Sequence, residues 1–252
     1  MDGPTTGAVV FGCLFSAGLG GMYLREHLPE NSLLQGTVVL LRRMVTALTL
    51  MAAVMLGFTT VSMKASFDSA DRDVKHLSAQ IVELDRTLRR IGPDAAPIRD
   101  LLFRYTSRIL KDTWPEHHSR LPVGPVGPGE LREQLRGALE ALPAIAPTKS
   151  QAIADARAIL LDIIATRLMI FESSGSSLSP WVAAALVGWL MVAFGSLGLT
   201  APSSPIVVAS LFLLAIALGS AAFLTKEFDD PFSGIIVVSS GAMENTLFTL
   251  TE

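Results

Sequence analysis

The stretch from Met44 to Ile91 constrains this chain most, because one helical pattern passes from an uncharged segment into a charged one. Residues 44–63 carry no charged side chain and are long enough to cross a hydrocarbon core of about 30 Å. Neither Pro nor Gly stands at the boundary with Lys64, and the pattern continues to Gly92-Pro93, where a helix is expected to end. At about 1.5 Å per residue, roughly 40 Å of this helix would extend beyond the membrane as a stalk.

Beyond Lys64 the apolar residues of the stalk recur at alternating steps of three and four, which is the spacing of a coiled-coil seam. These seam residues are Phe67, Ala70, Val74, Leu77, Ile81, Leu84, Leu88 and Ile91. So much apolar surface is unfavourable in water, so another helix must cover it. The partner is either the returning helix 150–172 of the same chain or the stalk of a neighbouring subunit. We favour the first, which makes 64–172 a compact four-helix subdomain. The returning helix is also apolar enough for a second contact.

The composition is that of a membrane protein. Half of the residues are hydrophobic, the mean hydropathy is +0.48 and only 17% carry a charge. The uncharged runs that are long enough to span a bilayer are 7–24, 44–63, 181–199 and 205–225. In the first run, small residues such as Gly18 and Gly21 allow another helix to approach, and ordinary packing within one subunit is the preferred explanation.

These observations predict an all-α membrane protein with four spans and a helical extramembrane subdomain inserted between spans 2 and 3. The predicted parts are a transmembrane hairpin at 1–63, the stalk subdomain at 64–179, a second transmembrane hairpin at 180–225 and a C-terminal tail at 226–252. The apolar run 235–238 of the tail is too short to span, so we expect it at the interface or packed against the subdomain.

Four spans place the stalk and both termini on one side of the membrane. The short loop 25–43 carries Arg25, Arg42 and Arg43, so the positive-inside rule favours a cytoplasmic loop and an extracytoplasmic stalk. Basic residues near the membrane on the stalk side, among them Lys64 and Lys226, favour the opposite orientation. The chain is expected to be a multi-pass membrane protein.

Two acidic groups follow predicted spans on the stalk side. Cation-binding or pore-mouth candidates follow the fourth span and are Glu227, Asp229 and Asp230, while secondary candidates follow the second span and are Asp68, Asp71 and Asp73. Hard cations bind clustered oxygen ligands, so a bound ion such as calcium is conceivable at the first group. Solvated surface carboxylates are the simpler interpretation of that group. Helix ion pairs are the simpler interpretation of the second, because Asp71 precedes Lys75 by four residues.

The remaining residues exclude several classes of function. No hydrolase, P-loop or zinc-protease motif is present, so we do not expect an enzyme. The net charge of −3 and the lack of a basic stripe argue against a nucleic-acid partner. His117 and His118 lack a distant third ligand, so no metal centre or other cofactor is expected there. The spans have no Asp, Glu, Lys, Arg or His in their interior, which argues against an ion-coupled carrier.

Five motifs resemble, in order, a widespread bacterial membrane family labelled bestrophin-like. They are LREHLPE (24–30), KASFD (64–68), LDRTLRRIGPDAAPIRDLLFRY (84–105), TRLMIFE (166–172) and DDPFSGIIVVSS (229–240). The resemblance implies a location in the plasma (inner) membrane of a bacterium. It also implies kinship with bestrophins, which are pentameric anion channels with a calcium clasp. In the clasp the acidic run follows a Pro-Phe-Gly, whereas here Asp229 and Asp230 precede Pro231-Phe232, so we do not transfer the clasp.

The leading hypothesis is therefore a homo-oligomeric, ion-conducting or regulatory pore in the lipid bilayer, lined by the polar and small residues of the spans. Inorganic ions are the expected partners. The alternative, from another class, is a non-conducting membrane sensor or scaffold whose helical subdomain binds a partner. Both agree with the uncharged span interiors, since hydrophobic constrictions can gate a pore by dewetting.

Overall fold

The computed structural model of the protein describes residues 3–27, 35–115, 126–143, 147–173 and 179–251. Within these ranges the chain forms α-helices and one short 3-10 turn, and it contains no strand. The helices are α1 (Gly3–His27), α2 (Gln35–Ile91), α3 (Ala96–Thr113), α4 (Pro128–Glu140), α5 (Pro147–Ser173), α6 (Pro180–Thr200), α7 (Pro205–Asp229) and α8 (Gly241–Thr251). The all-α prediction is confirmed. His117 and His118 lie outside the described residues.

Four of these helices, α1, α2, α6 and α7, are long and apolar enough to cross a membrane. They correspond to the four predicted spans, so the prediction of a four-span helical membrane protein is confirmed. The second span continues without interruption into the stalk, because α2 includes both segments. It ends where Gly92 adopts a φ of 103° and Pro93 begins the 3-10 turn Pro93–Ala95.

The packing divides the chain into two compact units. The membrane unit consists of Met1–Phe67 and Ser176–Ile236, and the stalk unit consists of Asp68–Gly175 and Val237–Glu252. The segment treated as a C-terminal tail contributes to both units, since its residues up to Ile236 belong to the first and those from Val237 to the second.

In the membrane unit, α1 packs against both α6 and α7. Glycines allow α1 and α6 to approach very closely. A Cβ atom added to Gly198 would lie 2.0 Å from the carbonyl oxygen of Gly18, and a Cβ atom added to Gly21 would lie 2.0 Å from the carbonyl oxygen of Gly195. This is the small-residue packing that brings transmembrane helices together. The expectation that Gly18 and Gly21 pack within one subunit is therefore confirmed.

In the stalk unit, the coiled-coil seam is buried by the same chain. From Ala70 to Ile91 its members are at most 3% exposed: Ala70, Val74, Leu77, Ile81, Leu84, Leu88 and Ile91. Polar contacts on α2 show which helices lie beside it. Gln80 donates to Asp162 of α5, and the Ser78 hydroxyl hydrogen-bonds Thr246 of α8. The prediction that the seam is covered by helices of the same chain is thus confirmed. The returning helix α5 covers it together with other helices.

One of those helices, α8, was not expected from the sequence, where residues 241–251 were treated as part of the tail. A buried carboxylate helps to position it. Asp85 of α2 accepts hydrogen bonds from Arg89 (2.7 Å) and Arg99 (2.6 Å). The same two guanidinium groups donate to the carbonyls of Thr249 and Leu250, at the end of α8. Cationic groups at a helix C-terminus are favourable, because the last carbonyls lack partners within the helix.

The apolar run 235–238 contributes to this unit as well. Val238 is 2% exposed, and its carbonyl accepts a hydrogen bond of 2.8 Å from the indole N–H of the buried Trp114. Of the two positions expected for this run, the interface or the helical subdomain, Val238 adopts the second. Ile235, at the start of the run, is 70% exposed.

Candidate functional site

The C-terminal end of α7 carries the three acidic residues singled out in the sequence, and Glu227 is the most enclosed of them. Its side chain is buried, and its Oε2 accepts hydrogen bonds from the backbone N–H groups of Ile235 (2.7 Å) and Ile236 (3.0 Å). Amide donors directed at an ionised carboxylate form strong, charge-assisted bonds. Glu227 therefore holds the chain that follows Pro231-Phe232 back against the end of its own helix.

Two glycines make room for this carboxylate. A Cβ on Gly234, whose φ is 104°, would lie 2.6 Å from Oε2, and a Cβ on Gly3 would lie 2.1 Å from Oε1. Gly3 is the first residue of α1. The carboxylate thus lies between the loop after α7 and the start of α1, where a helix N-terminus favours a negative charge.

The other two acids of this group also have partners. Asp229 is buried and forms an ion pair of 2.9 Å with Lys226. Asp230, which is half-buried, accepts a hydrogen bond of 2.5 Å from the Ser233 hydroxyl. The interpretation as solvated surface carboxylates is therefore wrong for Glu227 and Asp229. The reason is that the loop after α7 folds back and gives Glu227 backbone donors that a linear sequence does not reveal.

The secondary candidates belong to the stalk unit. Asp68, Asp71 and Asp73 are each half-buried. Asp71 forms an ion pair of 2.6 Å with Lys75, so the helix ion pair expected for it is confirmed. Among the described residues, no three His, Cys, Asp or Glu side chains are grouped closely enough to hold a metal ion.

The contacts between α2 and α7 were not predicted from the sequence. Two of the residues that form them, Lys64 and Phe67, belong to the KASFD motif. The Lys64 ammonium lies 5.5 Å from the ring centroid of Phe67 and 5.8 Å from that of Phe228, within cation–π range. One turn earlier, the hydroxyls of Thr60 and Thr225 are 3.1 Å apart. These contacts join the end of the second span to the end of the fourth.

A cavity of about 130 Å³ lies among α1, α2, α6 and α7 of the membrane unit. Its apolar wall is formed by Val10, Leu56, Ala183, Leu186, Val187 and Ala222. Its polar end is formed by Thr6, Thr59, Thr225, Lys226 and Asp229. All four spans contribute to it, and its polar end includes the ion pair described above. No signal in the sequence could have identified it, because the lining residues come from four distant segments.

Fold and site together define a multi-pass helical membrane protein whose fourth span ends in a buried glutamate bound by backbone amides. The family model of the bestrophin-like domain matches residues 12–243. The chain therefore belongs to the bestrophin-like family, and the resemblance inferred from the motifs is confirmed. Comparison with curated proteins and with solved structures gives no match.

Proposed function

We propose that this protein assembles into a homo-oligomer that forms an ion-conducting or regulatory pore, with the second span lining it. The observation that carries the proposal is the exposure of that span. Of residues 44–63 in α2, only Ala52 and Met63 are buried within one chain. Membership of the bestrophin-like family agrees with a channel role.

The exposed surface of the second span has two distinct faces. One face carries large apolar side chains that suit lipid or a neighbouring helix: Met51, Val54, Met55, Phe58 and Val61, which are 40–74% exposed. The other face carries small or hydroxylated residues at steps of three and four: Thr46, Thr49, Ala53 and Gly57. A helix with one large apolar face and one face of small or hydroxylated residues suits a position between lipid or protein on one side and an aqueous path on the other.

The hydroxyls of the small-residue face are compatible with a low-dielectric environment. Thr49 donates its hydroxyl proton to the Val45 carbonyl (2.8 Å). That proton is thereby satisfied within the helix, and the oxygen lone pairs of Thr49 can face an ion or water. Near Thr49, a cleft of about 580 Å³ is also lined by Ser196 and Thr200 of α6.

Cysteine accessibility on adjacent residues of α2 tests the lining. Cys13 is the only cysteine, so Cys13→Ser gives a thiol-free background. In that background we expect a charged methanethiosulfonate to reduce the current of Ala53→Cys at least about tenfold, because the added group blocks a narrow path. Val54→Cys, on the large apolar face, is the matched control and should keep its current.

Block of Val54→Cys without block of Ala53→Cys would refute this choice of lining face. Absence of current from reconstituted protein, together with a monomeric mass in native mass spectrometry, would refute the pore itself. The inorganic ions carried and the extracytoplasmic orientation of the stalk are part of the same proposal, and reversal potentials and reporter fusions test them.

The alternative function, a non-conducting sensor or scaffold, is favoured by one observation in the stalk unit. Helix α5 exposes Leu161 (61%), Leu168 (58%) and Met169 (62%). Leu161 and Leu168 are seven residues apart, so they lie on one helix face. Exposed apolar rows of this kind suit a protein partner. If Leu161→Gln with Leu168→Gln abolishes a cellular phenotype while channel-inactive variants retain it, the scaffold role is the correct one.

A further inference from the structure

We propose that α5 binds the same helix of a second copy of this chain, with the two helices parallel. The contact is made by a row of exposed residues on the outside of the stalk unit, which we call the outer seam. The inference rests on the homo-oligomer of the proposed function, and it adds the surface through which two stalk units meet.

Helix α5 has two apolar faces that lie nearly opposite each other. The inner face packs into the stalk unit, and its members are at most 3% exposed: Ile153, Ala156, Leu160 and Ile163. The outer seam consists of exposed residues only: Ala154, Ala158, Leu161, Ala165 and Leu168. Their successive steps are four, three, four and three, which is the spacing of a coiled-coil seam. The helix therefore carries a second seam that its own chain leaves open.

The sizes of the residues in the outer seam suit a close pair of helices. Alanine at Ala158 and Ala165 allows two helix axes to approach to about 8 Å, the short end of the range for packed helices. Between the alanines stand Leu161 and Leu168, which are 61% and 58% exposed in one chain. In a coiled coil these leucines insert between residues of the facing helix and leave water.

The charges beside the outer seam favour a second copy and determine its direction. Arg157 borders the seam on one edge, at heptad position g, and Asp155 and Asp162 border it on the other, at position e. In a parallel pair, position g of one helix faces position e of the next heptad in the other, so Arg157 meets Asp162 of the partner subunit. Two-fold symmetry forms this ion pair twice. In an antiparallel pair, equal edges would face each other and bring like charges together.

Contacts within the chain hold both charged groups at the edges of the outer seam. Arg157 donates through Nη2 to the carbonyls of Leu139 (3.2 Å) and Glu140 (3.4 Å) at the end of α4. Asp162 accepts a hydrogen bond of 2.5 Å from Gln80 at its Oδ2. A guanidinium has five N–H donors and a carboxylate has two acceptor oxygens, so each group can also bind across the interface. Both side chains are exposed in one chain.

Disulfide crosslinking of the full-length Cys13→Ser chain in membranes tests the contact and its direction. In a parallel pair, Leu161→Cys and Leu168→Cys each face the same residue of the other copy. We expect each to form a linked dimer at least about tenfold faster than Arg104→Cys, at an exposed position of α3. Leu161→Cys and Leu168→Cys in different copies are separated by about 10 Å along the pair, so they should link no faster than the control. A mixed dimer that forms faster than both self-pairs would overturn the proposal.

Charge reversal tests the ion pair between the copies. We expect Arg157→Glu alone and Asp162→Lys alone to slow the Leu161→Cys crosslink about threefold to tenfold at low salt, and both changes in one chain to restore its rate within about twofold. The contacts with Leu139 and Gln80 are lost in the double variant too, so a purely intrachain role predicts no restoration. A double variant that crosslinks as slowly as the single ones would overturn the proposal.

The remaining outcomes separate this interface from the proposed function. An oligomer in native mass spectrometry without a Leu161→Cys crosslink would overturn the interface and leave the proposed assembly intact, whereas a monomer would overturn both. A Leu161→Cys crosslink to a different protein would overturn the second copy as the occupant and support the scaffold role. The expected result is a crosslinked dimer of this chain alone, in a sample whose native mass is that of an oligomer.

Discussion

The two parts of α2 bury their apolar residues to very different extents. In the second span, Leu50 is 66% exposed and Phe58 is 74% exposed. In the stalk, Ile81 and Leu84 are fully buried, although they belong to the same continuous helix. The helix has one backbone geometry throughout, so the difference arises from the surroundings of each part.

Burial within the protein therefore has a different meaning in each part of α2. In water an exposed leucine is unfavourable, and the seam is therefore covered by other helices of the chain. In a bilayer the lipid tails are as apolar as leucine, so hydrophobicity alone does not bring a span against its neighbours. Close packing of small residues and polar contacts then decide which spans associate.

The largest expected effect is the loss of a buried seam residue of the stalk. Leu84→Ala should reduce the free energy of unfolding of the stalk unit by about 2–5 kcal/mol, because it leaves a cavity in a packed core. Leu50→Ala, the same change in the exposed span, should leave the stalk unit unaffected. Urea unfolding in mixed micelles, followed by the fluorescence of Trp114 in a chain with Trp181→Phe and Trp189→Phe, measures both. Equal losses for the two variants would mean that the seam is not packed.

The next effect compares two carboxylates on α2. Asp85→Ala should destabilise the stalk unit by about 2–3 kcal/mol, somewhat less than the 3–5 kcal/mol typical of a fully buried pair, since Arg89 and Arg99 remain partly exposed. Asp71→Asn should cost less than about 0.5 kcal/mol, because its pair with Lys75 is exposed. The same unfolding assay separates them. Hydrogen exchange in α8 should also accelerate only in Asp85→Ala, and unchanged exchange there would contradict its role in holding that helix.

The third effect concerns the glycines that let α1 and α6 approach in the membrane unit. Gly198→Ala should destabilise the packing of α1 on α6 by about 1–3 kcal/mol, because its Cβ would overlap the backbone of Gly18. Gly188→Ala in the same helix meets no neighbouring atom within 4 Å and should be neutral or stabilising by up to about 1 kcal/mol. Thermal denaturation in lipid nanodiscs compares the two. A similar decrease in stability in both variants would show that the effect does not arise from the close contact between α1 and α6.

The smallest effect concerns the charges at the end of α7. If Glu227, Asp229 and Asp230 form a ring at the pore mouth, changing all three to their amides should shift the reversal potential towards anions at low salt and less at high salt. Asp230→Asn alone should produce most of the shift, since Lys226 offsets Asp229 and two backbone amides bind Glu227. An unchanged reversal potential in the triple variant at low salt would show that these three acids do not lie along the conduction path.

The sequence predicted features that depend on local pattern. The uncharged runs predicted the spans, and the three–four spacing from Phe67 to Ile91 predicted the seam, because helix periodicity places those residues on one face. It did not predict α8, whose residues 241–251 lack a strong amphipathic repeat and are ordered by contacts with α2 and α3. It also misjudged Glu227, since the partners of a carboxylate cannot be inferred from its neighbours in the chain.

The amino-acid sequence alone predicts which segments of this chain belong in lipid, which belong in water, and that α2 passes from one to the other. These follow from hydropathy and periodicity, which are properties of short stretches. The position of Glu227 between Gly3 and Gly234, and the cavity that the four spans enclose, are visible only in the folded structure. Both depend on residues far apart in the chain, and their hydrogen bonds and close contacts exist only after the helices have packed.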